Sequence, residues 1–305
     1  MKHLFIVNPT AGGKDKTEEV RARVETAFAG REDSFEIYVT KGPLDASRRI
    51  EQAAAEEEQL RVYACGGDGT FNECVCGAAL KPNVAVCPFP TGTGNDFCRM
   101  FGEEKELFRD LPALLEGTER AIDLIACNGR YSANICSVGV DARIGTDVHK
   151  YSHIPLIGGA TGYVVSAVVN MFKGIATDME VSCEDYRYSG KHTLVCACNG
   201  RFYGGGFNPS LDAMPDDGIM DVFIAQKVNL LQFAALIGKY AKGHADEMPQ
   251  HIKHIRTSGE VIVRCGKEDV AQLDGEALRS AEFRLRLVPK ALNLIVPKGM
   301  TFFEK

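Results

Sequence analysis

Residues 61–73, Arg61-Val-Tyr-Ala-Cys65-Gly66-Gly67-Asp68-Gly69-Thr70-Phe71-Asn72-Glu73, decide the fold. Arg61–Cys65 is an apolar run of strand length, and residues 71–80 resume as a helix. A strand, a Gly-rich turn and a helix form the repeating half of a parallel α/β sheet. The three glycines allow tight curvature and close backbone approach to a ligand. Thr70 can donate to a phosphate oxygen, and the helix start adds positive potential. A carboxylate in such a loop repels phosphate unless a cation or donor lies between. Asp68 is therefore a natural direct or indirect Mg²⁺ partner.

The same texture extends to both sides. Leu4–Val7 is a short strand, followed by Asn8-Pro9-Thr10-Ala11-Gly12-Gly13-Lys14 and a helix over 15–29. Phe35–Val39 is a second strand and Asp45–Glu58 a helix. Val84–Pro88 is a further strand, ending in Pro90-Thr91-Gly92-Thr93-Gly94-Asn95-Asp96. This βαβαβαβ order predicts a parallel sheet covered by helices. Its three Gly-rich turns all follow strands, so they gather on the carboxyl edge where such sheets bind ligands. None matches a P-loop or a GxGxxG fingerprint.

After residue 122 the pattern changes to short strands. Asn128-Gly129 separates Ile122–Cys127 from Tyr131–Cys136, a two-residue hairpin signal. Further strands are expected at Met179–Cys183, Thr193–Cys198, Met220–Ala225, Val261–Cys265 and Phe283–Val288. Helices are expected near 141–149, 160–172 and 229–242. The stretch 154–172 carries no charge. Its glycines and polar residues favour a buried helix, or one lining a lipid pocket or touching a bilayer, over a spanning one.

The composition, 45% hydrophobic and 25% charged over 305 residues, is that of a soluble globular protein. The net charge of −6 argues against a nucleic-acid binder. All of that charge falls in residues 1–122, and the remainder carries equal numbers of acidic and basic residues. The second part is thus the less repelled by an anionic membrane. Eleven Cys without a CxxC pair, several in apolar runs, read as reduced, core-forming thiols of a cytoplasmic protein.

Two acidic clusters lie in the second part. Asp216-Asp217-Gly218 and Asp274-Gly275-Glu276 each precede a strand and can be simple turns. In the second cluster, one carboxylate could take a hydroxyl proton while the other orients it or meets metal.

The ordered set NPTAGGK, GGDGTFNE, PTGTGNDF, NICSVGVDA (134–142), PDDGIMDV (215–222) and LDGEAL (273–278) resembles the diacylglycerol kinase catalytic-domain family. The likeness spans the chain and extends to bacterial soluble lipid kinases and sphingosine kinases. It implies a nucleotide-binding α/β domain like those of phosphofructokinases and NAD kinases, formed by residues 1–122 with a returning segment 289–305. It also implies an antiparallel β-sandwich with inserted helices at 123–288 for the lipid, with catalysis in the cleft between them.

Carried over by motif, ATP would contact Asn8, Pro9, Thr10, Ala11, Gly12, Thr40, Gly66, Gly67, Asp68, Gly69, Thr70, Phe71, Asn72, Thr93, Gly94 and Asn95. Asp68, Asp96 and Asp123 would organise the Mg²⁺–ATP site. Glu276 would accept the proton, with Asp274 beside it. A structural Mg²⁺ would sit on Asp217 with the carbonyls of Met214 and Ile219. The resemblance implies a membrane lipid substrate met peripherally at the inner face of the membrane; a homodimer is common among relatives. The expected reaction is diacylglycerol to phosphatidic acid. An NAD kinase-like enzyme and a non-catalytic nucleotide- or lipid-binding regulator remain alternatives.

Overall fold

The computed structural model describes residues 1–91, 95–151 and 174–304. The chain divides into two compact units, one of Met1–Leu124 with Pro289–Lys305, the other of Ile125–Val288.

In the first unit β1 (Lys2–Val7), β2 (Ser34–Val39), β3 (Leu60–Gly66) and β4 (Val84–Pro90) are all parallel. The end of β13 (Glu276–Val296) joins beside β4, also parallel, through Asn293↔Ala85 and Leu294↔Val86. The order β2-β1-β3-β4-β13 makes β1/β3 the point where the winding reverses. Ligand crevices of such sheets open there. β3 and β4 are buried along their whole length, which is why they read as continuous apolar runs. Helices α1 (Thr17–Phe28), α2 (Asp45–Glu56) and α3 (Asp68–Ala78) follow β1, β2 and β3. A Cβ on Gly77 of α3 would stand 2.8 Å from the Cα of Ser47 in α2, so these helices pack backbone to backbone. Short α4 (Asp96–Arg99) and α5 (Leu111–Leu115) lead into β5 (Thr118–Cys127). Buried Arg61 holds this descent by donating to the carbonyls of Leu115 and Gly117 and to Glu119.

The second unit is antiparallel. β5 turns into β6 (Arg130–Ser132) through Asn128 and Gly129, both at positive φ (48° and 84°). That is the backbone the Asn-Gly signal predicts. Next come β7 (Ile135–Gly139), α6 (Val140–Tyr151), β8 (Thr177–Cys183) and β9 (Tyr186–Cys198). β10 (Met220–Gln226), α7 (Leu230–Tyr240), β11 (Ile252–Thr257) and β12 (Glu260–Leu273) follow. The sheet runs β11-β10-β9-β7-β12-β13, with β8 pairing both β9 and β12. Inward Val261, Val263, Phe283 and Leu285 alternate with outward Arg264, Glu282 and Arg284, which pair across strands. This is the hydrophobic-in, charged-out alternation of a sheet packed on one face.

The expected single strand Tyr131–Cys136 is two strands, β6 and β7, broken at Ala133-Asn134. The N–H groups of those two residues go to a carboxylate, described below, instead of a ladder. β12 and β13 run far beyond Val261–Cys265 and Phe283–Val288. Their extensions carry exposed polar residues such as Lys267 and Glu268, which hide a strand from a hydrophobicity reading. The helix expected near 160–172, with the uncharged stretch 154–172, lies outside the described residues. Among the described residues, no helix is long and apolar enough to cross a membrane. All eleven thiols are free, and all but Cys76 are buried. Burial pushes those of Cys183 and Cys265 up to about 11, so they pack as small hydrophobes.

One ionic cluster gives this unit a pH-dependent stability. His254 stacks on Phe223 (4.4 Å between centroids), with Nε2 2.8 Å from Asp221 and Nδ1 2.9 Å from Asp246. The hydrogen bond to Asp221 is the main cause holding its pKa above the usual value. A raised folded pKa means the stabilisation is complete below the unfolded value of about 6.5 and fades as pH rises through the folded value. The stability gap between wild type and His254→Gln should therefore shrink, by up to about 1 kcal/mol, from pH 6 to pH 8.5. Thermal unfolding at the two pH values measures it; a gap that does not change with pH contradicts this role.

Candidate active site

In the first unit the three Gly-rich turns are tied together by their own side chains. Asn8, at the end of β1, donates from Nδ2 to Thr70 Oγ1 at 3.1 Å, joining the first turn to the second. Its Oδ1 accepts from the backbone N–H and hydroxyl of Thr10, shaping the Pro9-Thr10-Ala11-Gly12 turn, where Gly12 takes φ 69°. Asp68 opens α3 and accepts from the backbone N–H of Asp96 at 2.7 Å, joining the second turn to the third. Thr91 N–H to the Gly66 carbonyl is a second link between them. Phe71 and Phe97 pack 4.9 Å apart beneath these links.

Glycine at 66 is obligatory. A Cβ there would lie 2.2 Å from Thr70 Oγ1, so any side chain displaces the hydroxyl that Asn8 holds. Thr40 follows β2, its N–H bound to the Val7 carbonyl at 2.9 Å, which sets it beside the first turn. Gly67 caps α3, Gly69 lies in its first turn, and buried Asn72 follows. Asp96 pairs with Arg99 at 2.9 Å. Thr93 and Gly94 lie outside the described residues. Next to them, the buried Nδ2 of Asn95 has no acceptor among the described residues. A donor buried without a partner costs about 1–3 kcal/mol, and an anionic phosphate oxygen would satisfy it. The donors, glycines and helix start of this edge fit a polyphosphate.

Two residues that the sequence reading assigned no role hold this edge in place. Glu73 accepts from the N–H groups of Leu44 (2.9 Å) and Ala46 (3.2 Å), capping α2 from α3. Asp45 accepts from Lys41 N–H (2.8 Å) and the Tyr38 hydroxyl (3.0 Å), fixing the loop that carries Thr40. The GGDGTFNE string contains Glu73, but its partners lie 27 and 29 positions away. Asp123 is 1% exposed and accepts from Lys290 N–H at 2.8 Å, where Lys290 sits at φ 53°. It fastens the returning C-terminal segment.

In the second unit Asp274 and Gly275 form the two-residue loop between β12 and β13, both at positive φ (50° and 93°). Asp274 is 8% exposed. Its Oδ1 accepts from Ser132 Oγ (2.5 Å) and from the N–H groups of Asn134 (3.1 Å) and Ile135 (2.9 Å); Oδ2 accepts from Ala133 N–H (2.9 Å). Four donors nearly fill the acceptor capacity of a carboxylate. Asn134 is held in turn by the Phe202 carbonyl, and Asn199 donates to the Ala133 carbonyl at 2.8 Å. Gln272 closes the loop by accepting from Gly275 N–H at 2.8 Å. Asp274 is thus an anchor. Glu276, half-buried and paired in register with Leu273, is the carboxylate this hairpin positions. Ser132 carried no signal in the sequence; Asn134 opens the NICSVGVDA motif, but no role was read for it.

At the Asp217 turn the carboxylate is engaged by the protein itself. Asp217 Oδ1 accepts from Ile219 N–H at 3.0 Å across Gly218 (φ 76°), and Oδ2 faces Arg256 at 3.5 Å. Met214 lies against Arg201. No group of three His, Cys, Asp or Glu side chains that could hold a metal occurs among the described residues. The site the resemblance implies, one carboxylate with the backbone carbonyls of Met214 and Ile219, would need Asp217 to exchange its Arg256 contact for the cation.

The second unit also holds a cavity of about 140 Å³ lined by Val140, Ile144, Leu194, Phe233, Leu236 and Ile252. Asp141 is on its wall, its carboxyl pushed above the usual range by burial. A cavity of this size admits a short length of hydrocarbon.

The anchoring role of Asp274 is open to test. Asp274→Asn removes the charge and turns an NH₂ toward N–H donors, so urea unfolding should show a loss of about 2 kcal/mol or more. A loss below about 0.5 kcal/mol would mean the four bonds do not hold the hairpin.

The comparisons with known proteins agree along the whole chain. Residues 2–127 match the diacylglycerol kinase catalytic domain. Residues 134–296 match the YegS C-terminal NAD kinase beta sandwich-like domain. The chain is 30% identical to a diacylglycerol kinase of Bacillus subtilis, over 89% of this chain and 88% of that protein. It is 28% identical to a "Probable lipid kinase YegS-like" protein of Pectobacterium atrosepticum, over 99% and 98%. The solved structure of a diacylglycerol kinase from Bacillus anthracis shares the fold, with a TM-score of 0.69 at 21% identity over 98% of both chains. The tied Gly-rich edge, the anchored acidic hairpin and these likenesses converge: the chain belongs to the diacylglycerol kinase catalytic-domain family of lipid kinases.

Proposed function

We propose that the protein transfers the γ-phosphoryl group of ATP to the free hydroxyl of diacylglycerol, yielding phosphatidic acid and ADP. The observation that carries this reading is the Asp274-anchored hairpin, which spends one carboxylate on geometry and leaves Glu276 to act on a proton. Asn8, Thr70 and Asn95 are the donors suited to the phosphates, with Gly66, Gly67 and Gly69 allowing their approach. Mg²⁺ enters with ATP as part of the substrate and neutralises phosphate charge. Asp68 and Asp96 are the carboxylates of that edge. The lipid oxygen forms its bond to the γ-phosphorus as its proton passes to Glu276, and the bond from phosphorus to the β,γ-bridging oxygen breaks with ADP leaving. Phosphoryl transfer asks the protein for positioning and charge stabilisation, and both the cross-tied turns and the anchored hairpin are positioning devices.

The apolar cavity of the second unit is suited to part of an acyl chain. A substrate that resides in a bilayer calls for peripheral contact with the membrane, at the cytoplasmic inner face.

Labelled ATP offered with a panel of diacylglycerol, monoacylglycerol, sphingoid base, polyprenol and NAD tests the reading. Label should enter phosphatidic acid. Label in NAD, or in no lipid, overturns it. Glu276→Gln keeps the shape but loses the base, and should lower kcat by about 10²–10⁴-fold with ATP affinity nearly unchanged. A variant keeping more than about a tenth of wild-type kcat would show that Glu276 is not the base. Gly66→Ala should do the reverse, weakening ATP binding by about tenfold or more as Thr70 is displaced; isothermal titration with nucleotide reads this.

A further inference from the structure

The peripheral contact needs a surface, and α7 has the form of one. Its inner side, Phe233, Leu236, Ile237 and Tyr240, packs on the core and walls the cavity. An ordinary surface helix turns charge outward. Here the outer side is apolar too. Leu231 is 83% exposed and Leu230 47%, followed by exposed Ala234, Ala235 and Gly238. These residues recur at helical spacing and form one stripe. No charged residue interrupts it before Lys239.

The stripe is held firmly at its start. Asn229 and Gln232 form a reciprocal capping box, so the two leucines stand on a fixed first turn. Leu211, 47% exposed, lies against Gly243 just beyond the helix and extends the apolar surface.

Cations border it. Lys227 precedes the helix and Lys242 follows it. Both are exposed and make no ion pair among the described residues, whereas Lys239 is paired with Glu247 at 3.0 Å. One such lysine thus stands at each end of the apolar stripe.

We propose that α7 is the membrane-docking element, laying Leu230 and Leu231 into the headgroup region of an anionic bilayer while Lys227 and Lys242 meet lipid phosphates. An apolar stripe bordered by basic residues is the pattern of an interfacial helix. A second copy of the chain fits worse, because a two-fold contact through this face sets the same lysines against each other. The assignment deepens the peripheral-membrane part of the function proposed above and rests on it. It also places the cavity directly behind the docking helix, on the route of a lipid leaving the bilayer.

The chain contains no tryptophan, so Leu231→Trp creates a single reporter. Its emission should shift to the blue with vesicles of phosphatidylcholine containing a third phosphatidylglycerol. It should be quenched by bromolipid there, and should shift less with phosphatidylcholine alone or at high salt. Phe35→Trp, on the first unit, should not respond. Leu230→Gln with Leu231→Gln should weaken co-sedimentation with the anionic vesicles by about tenfold. The same double variant should phosphorylate a short-chain diacylglycerol dissolved in buffer at the wild-type rate. No shift at Leu231→Trp, or emission already blue without lipid because other protein covers the site, overturns the assignment. A reporter that inserts in a protein phosphorylating no lipid would instead sink the kinase reading and leave the docking helix standing.

Discussion

The second unit turns on one carboxylate. Asp274 gathers three consecutive backbone N–H groups and a serine hydroxyl from residues 132–135. Those N–H groups are then unavailable to a β-ladder, and the strand breaks there. A charge buried this way persists only if its partners are all in place, and losing them costs several kcal/mol. The β12–β13 loop is thereby fixed against the β6–β7 corner, which sets where the next side chain of β13, Glu276, begins.

The first unit solves its own positioning problem by the same means. Polar side chains there bind backbone and one another before any ligand arrives. Asn8 reaches Thr70, Asp68 reaches the start of α4, and Glu73 and Asp45 tie down the loop bearing Thr40. All of these links but that of Asp45 join segments from different strand–helix units. Preorganised donors of this kind cost little reorganisation when charge develops on a transferring phosphoryl group. In the proposed reaction both units contribute rigid geometry, and mobile chemistry is confined to the substrate and one proton.

The sequence revealed some of this and not the rest, for physical reasons. The parallel sheet was legible because β1, β3 and β4 are buried on both faces and read as unbroken apolar runs. The Gly-rich turns were legible because close backbone approach demands glycine, as the 2.2 Å contact at Gly66 makes plain. The anchoring of Asp274 was not, since its partner Ser132 is 142 positions away and Asp-Gly at a hairpin reads as a turn in its own right. Glu73 sat inside a recognised motif, yet its task depends on α2 lying beside α3. The outward leucines of α7 read simply as helix, because helical spacing does not say which face the core will take.

The central claim is a proposed division of labour between adjacent carboxylates, Asp274 held by its hydrogen bonds and Glu276 accepting the hydroxyl proton. The dependence of kcat on pH, at saturating Mg²⁺–ATP and lipid, tests it most directly. Wild type should show a one-proton ascending limb, since the base must be ionised to accept the hydroxyl proton. Folded Asp274→Asn, held under stabilising conditions, should keep that limb at reduced amplitude, and Glu276→Gln should lose it. If the limb survives in Glu276→Gln and vanishes in Asp274→Asn, the assignment of roles in the hairpin is wrong.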